Sequence, residues 1–188
     1  MKKLFYIILP VVAAIAVSSC NDDDNTDTLS QYEAYRDENV AYYESQAELK
    51  NPDGTPYYER LVPVWNSGAE ILIHYFNDRA LTAGNLQPLF TSGCAVKYIG
   101  RLYNDYAFDS SYLRTSALYG DSVSIFQPSG VIQGWAIALM DMRVGDSCEI
   151  VIPYQQGYGT QIQTAIPPYS TLKFNMKLVD IPFYEIKQ

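Results

Sequence analysis

Histidine and cysteine, the side chains that most often carry nucleophilic, acid–base or metal chemistry near neutrality, are scarce in this 188-residue chain, and their spacing does not bring them together. His74 is the only histidine and lies in ILIHYF (71–76), an alternating segment of the kind that forms a half-buried strand. A strand histidine with a satisfied ring is the expectation. Cys94 and Cys148 are distant from each other, and with one histidine they give no zinc-ligand spacing. Asp22, Asp23 and Asp24 lack the glycine and distal glutamate that complete a calcium loop. G-x-S-x-G, a phosphate-cradling loop and a dinucleotide fingerprint are all missing from the sequence. The chemistry left to this chain is one that needs no metal, nucleophile or redox cofactor. One residue stands out instead. Trp135 leads the helical stretch of VIQGWAIALMDMRVGD (131–146), where Trp135, Ala138, Leu139 and Met142 recur at a spacing of three or four. Gly145 is placed to close that helix with a left-handed C-terminal turn. A helix so short cannot stand alone in water and must lie on something.

The elements that position these residues begin after a leader. MKKLFYIILPVVAAIAVSSC (1–20) has two lysines, an apolar run of export-signal length and small residues before Cys20. Its ending, Val17-Ser18-Ser19-Cys20, resembles the lipobox of bacterial lipoproteins, which implies that Cys20 carries the lipid and that the protein is anchored at the cell envelope. Residues 21–28 (NDDDNTDT) read as a solvated acidic tether. The formal net charge is −8, and loss of Lys2 and Lys3 with the leader makes the mature chain more acidic, so a nucleic-acid partner is set aside. In an envelope compartment disulfides can form, yet Cys94 and Cys148 both sit in strand-like segments and are expected to be buried free thiols.

Residues 29–60 form an N-terminal extension. From Leu29 to Lys50 there is no proline or glycine, Ser30 is a candidate N-cap, and Tyr32, Tyr35, Tyr42 and Tyr43 run along one side. That stripe predicts a packing face on the body of a monomer rather than a self-association surface. NPDGTP (51–56) supplies turn chemistry. Residues 61–188 are strand-rich. TLKFNMKLVD (171–180) alternates Leu172, Phe174, Met176 and Leu178 with Lys173, Asn175 and Lys177, giving one buried and one wet face. Ile71 and Ile73, Val96 and Tyr98, and Ile150 and Ile152 repeat the pattern. A one-sided antiparallel sheet needs a cover, and residues 135–143 supply it. The fold class is α+β, one short helix across a bent antiparallel sheet, with a helical extension in front.

Four segments in this order carry a family resemblance: AVKYIGRLYNDYAFDSSY (95–112), GVIQGWAIALMDMRVGD (130–146), IPYQQGYG (152–159) and IPPYSTLKFNMKLVDI (166–181). Together they resemble the FK506-binding-protein (FKBP) family of peptidyl-prolyl cis–trans isomerases, over roughly residues 68–181. The resemblance implies a catalytic pocket made by Tyr98 on its wall, Phe108 and Asp109 of the F-D-S-S motif, Trp135 as the floor, Tyr158 as a hydroxyl donor to the substrate carbonyl, and Phe174. It implies substrate-binding roles for Arg114 as partner of the aspartate, for Phe126, for Val131 and Ile132, and for Ile166 on the far wall. The chain departs from the family's usual pattern at Val123 and Ser124, where an aromatic is common and Phe126 substitutes. It departs also at Ala165 and in the loop TQIQTA (160–165). These departures bear on affinity and sequence preference.

The physics of the implied reaction suits a chain without catalytic histidine. Rotating a peptide bond costs ~18–20 kcal/mol because amide resonance is broken, and uncatalysed X–Pro exchange takes roughly 10–100 s. Water favours the planar, charge-separated amide, so a dry aromatic pocket with a few fixed donors favours the twisted one. Implied partners are proline-containing unfolded or extended polypeptides, with macrolides of the FK506 and rapamycin type as ligands. The alternative reading keeps the fold and drops the catalysis, leaving a binding or holdase lipoprotein.

Overall fold

The computed structural model describes residues 29–116 and 118–182; Cys20 and the tether lie outside the described residues. The chain folds as α1 (Glu33–Ala47), β1 (Glu59–Leu61), β2 (Ile71–Tyr75), β3 (Cys94–Leu102), β4 (Ala107–Ser110), β5 (Thr115–Ser116), β6 (Gly120–Asp121), β7 (Ser124–Phe126), α2 (Gln133–Asp141), β8 (Ser147–Ile152) and β9 (Leu172–Asp180). The main sheet runs β1-β2-β8-β9-β3-β4, with β7 also on β3, while β5 and β6 pair separately. Its pairings are antiparallel. The nine-residue β3 pairs with β9 on one edge and is shared by β7 and β4 on the other, which the register shift at Gly100/Arg101 accompanies.

The alternation read from β9 holds: Leu172, Phe174, Met176 and Leu178 are buried. With Ile71, Ile73, Val96, Tyr98, Ile150 and Ile152 they make an inner face, and α2 lies on it. Every residue from Gly134 to Leu139 of α2 is buried, a wider face than the spacing of Trp135, Ala138 and Leu139 predicts. Contact sets its height over the sheet. A Cβ at Gly134 would collide with the Ile152 side chain, so the glycine lets the helix sit directly on β8. Gly145 does not cap this helix. The helix ends at Asp141 with Met142 already extended, and Gly145, at φ +98°, makes the left-handed turn into β8 instead.

Two expectations about the outer face change. It is not uniformly wet: Leu72 and Val151 are fully buried there, under Tyr43 of α1 and Tyr58. The tyrosine stripe is therefore a packing face, but Asn39, fully buried, stands in its middle. Ser30 is not the cap of the long helix either. A turn at Gln31–Tyr32 interrupts the chain, α1 starts at Glu33, and its N-cap position is Tyr32 with no side-chain cap bond. The NPDGTP segment turns as expected, with Lys50 bridged to Pro56 and Gly54 at φ +86°. The extension and the sheet are not separable at residue 60, because β1 crosses it and pairs with β2. Among the described residues no helix is long and apolar enough to cross a membrane.

Candidate active site

Where α2 meets β3, β4, β7 and β9 the inner face opens into a cavity of about 510 Å³. Its walls come from separate elements: Tyr98 from β3, Phe108 and Asp109 from β4, Phe126 from β7, Phe174 from β9. Val131, Ile132 and Trp135 enter from the first turn of α2 and the residues before it, and Tyr158 from the segment after β8. Two residues named from the sequence stand outside the lining. Ile166 is buried in the core, and Arg114 donates to the Asp109 carboxylate and, from Nε at 3.4 Å, to the Ser110 carbonyl. His74 lies elsewhere, stacked 4.0 Å from Tyr57 with Nδ1 2.7 Å from the Tyr57 carbonyl, the satisfied strand histidine expected. Cys94 and Cys148 are buried free thiols, as expected, and burial pushes the Cys94 thiol up to about 11.

The floor is an indole ringed by edges. Tyr98, Phe174 and Phe126 approach Trp135 at centroid distances of 5.0, 5.2 and 5.3 Å, with interplanar angles of 87°, 84° and 77°. Edge-to-face contacts of this kind add to the burial of each ring, by about 0.5–1.5 kcal/mol per pair. Phe108 adds another on Phe174, at 5.6 Å and 89°. Gly100 makes this possible. It pairs across the sheet with both Phe174 and Asp109, and a Cβ there would stand 2.5 Å from Phe174 Cε1 and 2.7 Å from Phe108 Cζ.

The polar groups gather at one side. The Tyr98 hydroxyl donates to Asp109 Oδ2 at 2.6 Å, and Arg114 Nη2 and the Ser110 amide each donate to Oδ1 at 2.8 Å. Burial acts to raise the Asp109 carboxyl, but the hydrogen bonds from Tyr98 and Arg114 outweigh it and hold it below the usual carboxylate range. Tyr98 is raised, first by burial and then by its bond to that carboxylate. Tyr158 is raised by burial and by the Asp109 charge, and among the described residues its hydroxyl has no hydrogen-bond partner. It is a donor left over for something else. Among the described residues no group of His, Cys, Asp and Glu could hold a metal ion.

The sequence reading missed Gln161, Gly130 and Gly157, which also line the cavity. Gln161 falls in the loop already marked as unusual for the family, so the signal was the departure itself. Ala165, flagged as a small wall residue, is exposed instead.

A short helix on an antiparallel sheet, with an aromatic cavity between them, defines the FKBP class of fold. The sequence profile of the FKBP-type peptidyl-prolyl cis-trans isomerase family matches residues 88–179, and that part of the chain is a domain of the family. The chain is 39% identical over 107 residues to the macrophage infectivity potentiator of Trypanosoma cruzi, covering 56% of this chain and 52% of that one. It is 31% identical over 152 residues to the FKBP-type 22 kDa isomerase of Escherichia coli K12, covering 80% and 63%. With FkpA of the same strain it shares 30% over 166 residues, covering 87% and 58%. The alignments thus span about half to less than two thirds of those relatives' own length. Among solved structures, Escherichia coli FkpA superposes with a TM-score of 0.61 at 25% identity, over 84% of this chain and 62% of that one. A peptidyl-prolyl isomerase of Pseudomonas syringae gives 0.60 at 23% identity, over 80% and 95%, a likeness of fold alone.

Proposed function

We propose that this chain is a peptidyl-prolyl cis–trans isomerase acting on proline-containing, unfolded or extended polypeptides at the cell envelope, held there by lipid on Cys20. The observation that carries the reading is the Trp135 indole lying under a 510 Å³ cavity, edged by three rings. A prolyl ring seated on that indole leaves water, and the twisted amide loses less by this than the planar one. The Tyr158 hydroxyl, without a hydrogen-bond partner among the described residues, is the group to bond the substrate carbonyl. Tyr98 and Arg114 hold Asp109 ionised at the cavity's polar side, so no proton moves during rotation. Catalysis then rests on the placement of fixed groups rather than on acid–base exchange. Macrolides of the FK506 and rapamycin type would compete for the same cavity.

The test is the isomerisation rate of a short X–Pro peptide panel with wild type and Trp135→Ala. Wild type should accelerate exchange, and Trp135→Ala should lose at least about tenfold, or ~1.4 kcal/mol of transition-state stabilisation. Wild type that binds the peptides without accelerating them would leave a binding or holdase module in its place.

A further inference from the structure

The N-terminal helix α1 lies on the outer face of the sheet, away from the cavity. Tyr43 donates to Glu70 and Glu38 accepts from Tyr103, but Tyr35, Arg36 and Asn39 all reach one place, the base of the loop that carries Tyr158 and Gln161. That loop is pinched into a neck, with the Tyr169 amide donating to the Gly159 carbonyl at 2.8 Å and the Gly159 amide to Tyr154 at 2.9 Å. Residue 158 is therefore next to one side of the neck, and residues 170–171 next to the other. Asn39 holds the second side. Its Oδ1 accepts the Thr171 amide at 2.8 Å, its backbone carbonyl accepts the Thr171 hydroxyl at 2.9 Å, and its Nδ2 donates to the Tyr35 carbonyl at 2.8 Å. Asn39 and Thr171 are 0% and 1% exposed, so these bonds have no water to replace them. Ser170 is held too. It gives its only hydroxyl proton to the Pro167 carbonyl at 2.7 Å, so the Tyr35 hydroxyl, 2.9 Å away, is the donor to Ser170 Oγ. The Arg36 guanidinium stands over the Tyr169 ring at 5.9 Å.

We propose that α1 is a positioning element of the active site, with Asn39 and Tyr35 as positioning residues that fix the neck from which Tyr158 and Gln161 reach the substrate. The inference rests on the isomerase reading for its effect on rate, though not for its effect on the loop. A buried asparagine in the middle of a tyrosine stripe has no packing advantage over an apolar residue. Its Nδ2 bond stays within α1, but the bonds to the Thr171 amide and hydroxyl form only when residue 171 sits where it does, and the Oδ1 bond gives the polar side chain a reason to be there.

The experiment compares Asn39→Ala and Tyr35→Phe in the full chain with Tyr103→Phe as control. Tyr103 donates from its hydroxyl to Glu38 at 2.7 Å, so the control releases a bond of the same kind from the same helix, but to the turn after β3. Three quantities are read: amide hydrogen exchange of residues 157–171, the thermal midpoint, and kcat/KM across an X–Pro panel. Asn39→Ala should accelerate exchange in the loop and lower kcat/KM roughly tenfold, short of the ~10²-fold that misplacement by a full ångström can cost. It should also reorder the panel, because Tyr158 and Gln161 meet residues flanking the proline; a uniform loss of folded protein cannot reorder substrates. Tyr35→Phe should do the same more weakly, and it carries the test alone if Asn39→Ala does not fold. Unchanged loop exchange in folded variants, or an equal effect from Tyr103→Phe, would overturn the proposal. Loosened exchange with an inactive wild type would sustain the brace and overturn the isomerase reading, so the two can fail separately.

Discussion

Gly100→Ala tests whether ring placement sets the rate, because it adds one methyl group outside the substrate space and moves the walls from behind. The new Cβ would lie 2.5 Å from Phe174 Cε1, and 2.7 and 2.9 Å from Phe108 Cζ and Cε2. Ordinary contact begins at 3.4 Å, so the Phe174 edge must retreat by about 0.9 Å if the backbone stays in place. Phe174 is held by Trp135 at 5.2 Å and Tyr98 at 6.5 Å, and the unfilled volume beside it is the cavity. The ring therefore moves into the cavity, where the proposed function seats the proline. Overpacking of this size costs about 1–3 kcal/mol of stability. A wall displaced by nearly an ångström should lower kcat/KM by about 10- to 100-fold. The assay is X–Pro isomerisation on protein shown folded by chemical denaturation. A variant destabilised as expected, but with kcat/KM within about twofold of wild type, would refute the claim that the aromatic walls set the rate.

The remaining predictions concern acid and the leader. Activity should be level between about pH 6 and 8, since Asp109 is held below its ordinary value, near 3.9, and the tyrosines at the site are raised above theirs, near 10; a bell-shaped profile would show an acid–base step. A carboxyl with a lowered folded pKa adds stability that is present above its unfolded value and lost as the pH falls through the folded one. The thermal midpoint should thus fall below about pH 4, and less steeply in Asp109→Asn than in wild type; parallel declines would refute the role given to its bonds with Tyr98 and Arg114. Cys20→Ser should abolish lipid attachment and release the protein from the membrane fraction, and mass spectrometry of the wild-type mature N-terminus without an acyl chain would remove the anchor from the proposal.

What was legible in the sequence follows from how each residue is constrained. β9 could be read because lysine and asparagine alternate with apolar residues, and a one-residue slip would put them all in the core. α2 could be read because its apolar spacing continues to Met142. The strands β1, β5 and β6 have two or three residues, too few to show a period. The cover on the outer face was visible only in part. Ile71-Leu72-Ile73 and Ile150-Val151-Ile152 are unbroken apolar runs, the mark of strands buried on both faces, and they were read for their alternate members alone. Nothing marked Asn39, because a polar residue in an amphipathic helix reads as part of its wet side. At the site, the aromatics were found through motifs with fixed spacing. Gln161 was not, because its place depends on how a loop is folded back and not on any period.

The same difference bears on how this pocket can work. An enzyme that moves protons tolerates some looseness if the acid and base still meet, and its titrating groups show where it acts. Here Asp109 is held below the ordinary carboxylate range and Tyr98 and Tyr158 are raised above the ordinary phenol range, so under the proposed function the free energy comes from geometry fixed before the substrate arrives. Three walls are strand and helix residues and are rigid by construction: β3 with β9, β4 and β7 across the sheet, and α2 on β8. The remaining wall is a loop, and ordering each loop residue costs about 1–2 kcal/mol of backbone entropy. The loop's own neck bonds tie its ends together but do not locate it on the sheet. Location comes at one end from β8, which runs to Ile152, and at the other from residues 170–171, which lead into β9 and are gripped from outside by Asn39 and Tyr35. A pocket whose rate depends on rigidity should therefore be sensitive at residues that never see the substrate, Gly100 behind the rings and Asn39 behind the loop. The two should differ in kind: Gly100→Ala shrinks the space for every proline substrate alike, whereas Asn39→Ala changes which neighbours of the proline are preferred.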